Sequence, residues 1–293
     1  MKFRTAVRLP LFAAVLVAAA PAVPAAQAAP GCPQARVEVA VPAGVPVLDW
    51  SENLTVDAAG NLWVARLWRQ QLQRYDATGA LTATISVEYP GAPRLGPDGL
   101  LYVVFGDAPT AGDRGGVLRL DPAAADPVPE VVVAGLTMPN GADFGPDGRL
   151  YLATANGVVR LRADGTLDPE WAIDAPAANG IAVDGDTAYL TSNGDALGRV
   201  SRAPLADPAA HTVVAELTNG GLPDFVDDLV WHGGALYAAT LTGRLVRIDP
   251  ASGAACAVLG TQPLTALAAD PARPGTLLAS TEGGSILRIT PGE

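Results

Sequence analysis

Lysine is nearly absent from this 293-residue chain: Lys2 is the only one, and every other strong base is arginine. There are two histidines, two cysteines and two methionines, and aromatic residues make up 5% of the chain. Each scarcity removes a class of function. Neither His211 nor His232 pairs with a suitably placed serine or cysteine, which excludes a Ser-His-Asp arrangement. There is no Cys-x-x-Cys pair, no glycine-rich phosphate loop and no dinucleotide fingerprint. A formal net charge of −11 repels a phosphate backbone, so no nucleic-acid partner is expected. Helical periodicity is also missing from the chain after its N-terminal segment.

That segment has a clear pattern of its own. Lys2, Arg4 and Arg8 precede an Ala- and Val-rich run, and Ala26-Gln27-Ala28 supplies a small-x-small cleavage site. Residues 1–28 read as a secretory signal peptide and 29–293 as the mature domain, exported from a bacterial cell. Pro21 and Pro24 interrupt the run, whereas a membrane span needs roughly 20 apolar residues, so no membrane partner is expected. An even cysteine count in an exported chain predicts a Cys32–Cys256 disulfide, with two unpaired thiols as the alternative. The length suits one monomeric domain with a large core.

What the chain has in abundance is repetition. A hydrophobic pair recurs at Leu62-Trp63, Leu101-Tyr102, Leu150-Tyr151, Ala188-Tyr189, Leu236-Tyr237 and Leu277-Leu278. Before each pair lies a Gly-, Asp- or Pro-rich turn, and after it a short apolar–Arg–apolar strand such as LQRYD, VLRLD or LVRID. A fourth strand-like run follows in most copies. Three or four strands per repeat of about 40–50 residues predict an all-β, six-bladed β-propeller. The last copy lacks a fourth strand, and ARVEVAV near the N-terminus has no blade of its own. That segment is therefore expected to close the ring by completing the sixth blade, covering an open edge.

Four copies open on an oxygen-bearing side chain: Glu52, Asn140, Asn179 and Asp227, the last followed by Asp228. The first strand of each blade lines the channel of a propeller, so these side chains are expected to converge near the axis. An all-oxygen set without histidine or cysteine suits a hard cation, Ca²⁺ or another divalent ion. Each residue also has a plainer reading: Asn140-Gly and Asn179-Gly as turn formers, Glu52 as a rim acid, Asp227 and Asp228 as a charged loop. Coincidence at matched positions of four repeats favours the metal.

On these motifs the chain resembles the regucalcin (senescence marker protein) and gluconolactonase family of six-bladed calcium propellers and, more distantly, the paraoxonases. The resemblance implies that Glu52, Asn140, Asn179 and Asp227 hold calcium, that Asp227 is also the general base, and that Asp228 stands where paraoxonases use an Asn ligand. It implies a small-molecule substrate and metal-assisted hydrolysis of a lactone or ester. Met138 replaces the arginine with which gluconolactonases hold a sugar lactone. With Trp50, Trp68, Phe105 and Phe225 it is expected to line a more apolar substrate site. A non-catalytic binding module with a structural metal, or a metal-dependent lyase or isomerase, are the alternatives. The expectation is a secreted hydrolase.

Overall fold

The computed structural model describes residues 32–193 and 197–292. The proposed signal peptide therefore lies outside the described residues. The described strands form six four-stranded antiparallel sheets and one two-stranded hairpin, Thr218–Asn219 with Leu222–Pro223. Five sheets run in chain order from first strand to fourth. The sixth takes Leu264–Ala269, Leu277–Thr281 and Ile286–Thr290 from the C-terminal end and Arg36–Val41 from the N-terminal end. Arg36 pairs with Thr290 and Val39 with Leu287. The architecture is a six-bladed all-β propeller. Among the described residues no helix is long and apolar enough to cross a membrane.

The repeated turn and the repeated aromatic are one device. In the first blade the Asp57 carboxylate accepts from the backbone N–H groups of Ala59 and Asn61 and from the Trp63 indole at 2.8 Å. Asp98 and Asp147 do the same for the Leu100 and Arg149 amides and for the hydroxyls of Tyr102 and Tyr151. An Asx-type turn thus fixes both the hairpin and the large side chain that follows it. The arginine of the third strand stands directly across from that position in every blade: Trp63 faces Arg74, Tyr102 Arg119, Tyr151 Arg160, Tyr189 Arg202, Tyr237 Arg247 and Leu278 Arg288. Arg74 and Arg160 lie over the rings of Trp63 and Trp171, 5.5 and 5.1 Å from their centroids. The apolar faces of the same strands pack between blades. Leu72 and Ile85 of the first blade meet Leu101 and Leu118 of the second, and an equivalent cluster joins Leu54 and Tyr75 to Leu278 and Ile286 of the sixth.

One strand was not legible in the repeat. The third blade has a fourth strand, Leu167–Ile173, despite Pro169. It is an outer strand, paired on one side only, where a residue without an N–H is tolerated.

Cys32 and Cys256 are disulfide-bonded, their Cα atoms 6.1 Å apart and 224 residues apart in sequence. Cys256 lies on the outer strand of the fifth blade, Ala255–Gly260. The Ala35 N–H donates to the Val258 carbonyl at 2.8 Å beside it. The bridge ties the N-terminal strand to the neighbouring blade. Replacing both cysteines by serine should cost about 2–5 kcal/mol, because so long a loop restrains the unfolded chain strongly. Guanidinium denaturation of the oxidised protein and the double variant measures this. Equal midpoints would mean that strand pairing alone holds the N-terminus.

Candidate metal centre

The first strands of consecutive blades pack against one another all round the ring, the sixth against the first included. Their entry ends carry the residues singled out by the repeat. In four blades the pairing between first and second strand slips at that point. The slips fall between Ser51 and Asn53, Ala178 and Ile181, Val226 and Asp228, and Leu264 and Ala266. The residues left outside the ladder are Glu52, Asn179 with Gly180, Asp227 and Thr265. A bulge releases a side chain from strict alternation and re-aims it, here at matched places in successive blades. In the third blade Asn140 stands just ahead of the strand Ala142–Phe144.

Backbone contacts lock these positions together. The Ala92 N–H donates to the Asn140 carbonyl at 3.0 Å and the Gly141 N–H to the Asn179 carbonyl at 2.9 Å, each joining neighbouring blades. The Thr191 hydroxyl donates to the Asp227 carbonyl at 3.1 Å. Glycine follows each asparagine because the next blade lies too close for anything else. A Cβ on Gly180 would stand 2.6 Å from Asp228 Cα, and one on Gly141 would drive into the Asn179 carbonyl. Neither glycine has positive φ, so the Asn-Gly pairs are not serving as left-handed turns.

The side chains form a connected cluster. Asn140 Nδ2 donates to Glu52 Oε1 at 3.3 Å and to Asp107 Oδ2 at 2.9 Å. Asn179 Nδ2 donates to Asp227 Oδ1 at 2.8 Å, and Asn193 Nδ2 to the same oxygen at 3.3 Å. The Trp50 indole donates to Glu52 Oε2 at 2.6 Å. Asp228 turns one oxygen to Asn53 Nδ2 at 3.3 Å. Glu52, Asp107, Asn179, Asp227 and Asp228 are all buried.

Burial is the main force on the acids, with mutual repulsion added. It raises Glu52, against the indole and amide that donate to it. Burial and then the Glu52 charge raise Asp107 well above the usual carboxylate range. Asp227 is raised well above that range by burial, then by Glu52, Asp228 and Asp107. Asp228 is pushed up to about 6 by burial, with Arg94 opposing. Four mutually repelling carboxylates out of water call for protons or a cation.

The donor set fits a hard cation on one further observation. Three buried oxygens, Asn179 Oδ1, Asn193 Oδ1 and Asp228 Oδ1, have no hydrogen-bond partner. All three are acceptors, which a cation satisfies and an apolar group does not. Among the described residues no three His, Cys, Asp or Glu side chains are grouped to chelate by themselves. An ion held here would draw on amide oxygens as well.

Asp107 and Asn193 had no place in the sequence pattern. Asp107 follows the second strand of its blade, Leu101–Phe105, and Asn193 the second strand Thr187–Ser192 of the fourth. Both leave the second strand of a hairpin beside the entry of its first strand, where Ala178 pairs with Ser192 and Pro93 with Val103. The apolar residues divide. Trp50 and Trp68 meet edge to face, ring centroids 6.2 Å apart, beside Glu52. Trp68 and Phe225 are exposed, and Met138 holds the left-handed φ of 44°, rare for a side chain other than Gly or Asn. Phe105 packs against the cluster between the first two blades.

A six-bladed propeller with a buried oxygen cluster at one end of its axis is what fold and site define. Solved structures that share that fold include the following three. A gluconolactonase from Xanthomonas campestris is 19% identical over 93% of this chain and 99% of its own, with a TM-score of 0.69. A regucalcin from Agrobacterium tumefaciens, described as calcium-binding, is 18% identical over 85% and 94%, with a TM-score of 0.65. A PQQ-bound aldose sugar dehydrogenase from Streptomyces coelicolor is 18% identical over 88% and 98%, with a TM-score of 0.65. Likeness at these identities establishes the fold, which hosts unlike chemistries. No protein-family model and no curated protein matches the chain.

Proposed function

We propose that this chain is a secreted, calcium-dependent hydrolase of a small lactone or ester. The observation that carries the reading is the cluster of four buried carboxylates with three unpartnered buried oxygens at the strand entries. Glu52, Asn140, Asn179, Asp227 and Asp228 would hold the ion, with Asp107 and Asn193 beside them. Bound there, a divalent cation would polarise the carbonyl of an ester or lactone and offset the developing negative charge. Asp227 would take the proton from the attacking water, its Oδ1 oriented by two amide donors, Asn179 and Asn193. Trp50, Trp68, Met138 and Phe225 would supply an apolar wall, favouring uncharged substrates with hydrocarbon character. The N-terminal strand, pinned by Cys32–Cys256, would close the ring, and residues 1–28 support export of the folded monomer's precursor.

The test is hydrolysis by the purified protein across aliphatic, aryl and sugar lactones and aryl esters, in calcium and then in chelator. Turnover that vanishes in chelator and returns with calcium supports the reading. A calcium-raised melting temperature without turnover on any substrate would move it to a binding module with a structural ion.

The acid cluster also sets a pH dependence. Its carboxylates titrate higher in the folded protein than unfolded, Asp228 at about 6. Protonation therefore favours the ion-free fold. That contribution is complete below the unfolded carboxylate pKa, about 4, and is lost as pH rises through the folded values. Calcium needs the deprotonated form, so its effect has the opposite sign. The calcium-induced rise in Tm should be small at pH 5 and larger at pH 7.5. Thermal melts with calcium and with chelator at the two values check this; a rise independent of pH would place the ion elsewhere.

A further inference from the structure

Among the described residues, one base pairs with the four buried carboxylates of the candidate centre. Among the described ion pairs only that of Arg94 reaches one of them, its Nη2 lying 3.7 Å from Asp228 Oδ2. Arg94 enters from the first strand of the second blade, Pro93–Leu95, with a side chain only 14% exposed. Its Nη1 donates to Asn53 Oδ1 at 2.8 Å, to the Pro93 carbonyl at 2.8 Å and to the Leu54 carbonyl at 3.3 Å. Asn53, 1% exposed, donates in turn to the Asp228 oxygen that faces the arginine. The other Asp228 oxygen is the unpartnered one. Beyond the guanidinium the channel opens into a cavity of about 290 Å³ lined by Arg94, Asp143 and mostly apolar side chains.

A guanidinium is a cation, and here its Nη1 is held by three oxygens besides Asp228. Its charge is present whether or not an ion is bound above it. Without an ion it offsets part of the repulsion among the four acids. With an ion it repels that ion through a medium of low effective dielectric. We propose that Arg94 is the resident counter-cation of the cluster, keeping the ion-free propeller folded and holding its affinity for a divalent ion below what the carboxylates alone would give. The inference rests on reading the cluster as a cation site. It makes Arg94 a tuning and positioning residue, acting through Asn53 and Asp228.

The test is calcium titration calorimetry and thermal melting in chelator on the whole protein with Arg94→Met, which fills the space without charge, and Arg94→Lys, which keeps the charge. Arg94→Met should melt lower in chelator and bind calcium at least about tenfold more tightly. Arg94→Lys should stay within about threefold of the parent in affinity. Equal or weaker binding by a folded Arg94→Met would overturn the inference and leave Arg94 as a structural brace. Flat isotherms for both parent and Arg94→Met would remove the cation site and the inference together. Binding by Arg94→Met alone would keep the inference and show that the arginine suffices in the parent. Should Arg94→Met fail to fold, the pair Arg94→Met with Asp228→Asn removes both charges and should fold. Failure of the pair as well would overturn the charge-balance account.

Discussion

Asp227→Asn should reduce calcium-dependent turnover by at least about a hundredfold on the best lactone or ester found, the lower end of what a positioned general base contributes. It should do so without unfolding the protein. Asp227 is buried, and burial together with Glu52, Asp228 and Asp107 already disfavours its charged form. Asparagine has nearly the same shape and no charge to bury. Melting in chelator at neutral pH is therefore expected to hold or rise, while the stabilisation gained from calcium shrinks. Loss of activity with a retained fold is the signature of a proton-transfer and ligand role. Unchanged kcat with weakened calcium binding would assign Asp227 to the ion alone and leave the base to be found elsewhere in the cluster. Unchanged kcat and unchanged calcium affinity would remove it from the mechanism.

Gly141→Ala should be among the most destabilising single-methyl changes in the chain, at about 2–4 kcal/mol. The added carbon would enter the Asn179 carbonyl, a backbone atom that accepts the Gly141 N–H and cannot swing aside. Gly180→Ala should behave alike, its Cβ 2.6 Å from Asp228 Cα. Gly60→Ala is the control, since its Cβ would meet nothing within 4 Å though φ is 84°. It carries only the backbone strain of a left-handed turn, about 1 kcal/mol. Urea unfolding of the three variants separates the terms. Similar losses at Gly60 and Gly141 would mean that the blades are not packed as tightly at the axis as the contacts indicate.

The blade count and the axial placement of Glu52, Asn179 and Asp227 were legible because a propeller repeats its turns and its hydrophobic pair in phase. The turn carboxylates of Asp57, Asp98 and Asp147 give that phase a chemical cause. What the pattern left out followed other rules. Asp107 and Asn193 come from loops leaving second strands, whose lengths differ from blade to blade, so no alignment of repeats brings them into register. Thr265 occupies the sixth-blade bulge, but its uncharged hydroxyl is engaged by the Ser51 carbonyl and the Ser280 hydroxyl, so the position is matched without a carboxylate or amide. Phe105 ends a strand whose alternation turns it toward the neighbouring blade. Arg94 reads in sequence as one more surface base. Only the crossing of first strands from three blades places it against Asn53 and Asp228.

The pairing of Arg36–Val41 with Ile286–Thr290 also imposes an order of events. Among the described strands, the first in chain order takes as its partner the last, so the sixth sheet is completed only after the strands of the other five blades have been made. Until then the N-terminal strand is an unpaired edge, and a chain stopped before its last strand leaves that edge without a partner. Contacts of such sequence separation are slow to form. The sixth sheet is therefore assembled after the other five have been made, and removing Ile286–Thr290 takes away the partner on which Arg36–Val41 waits.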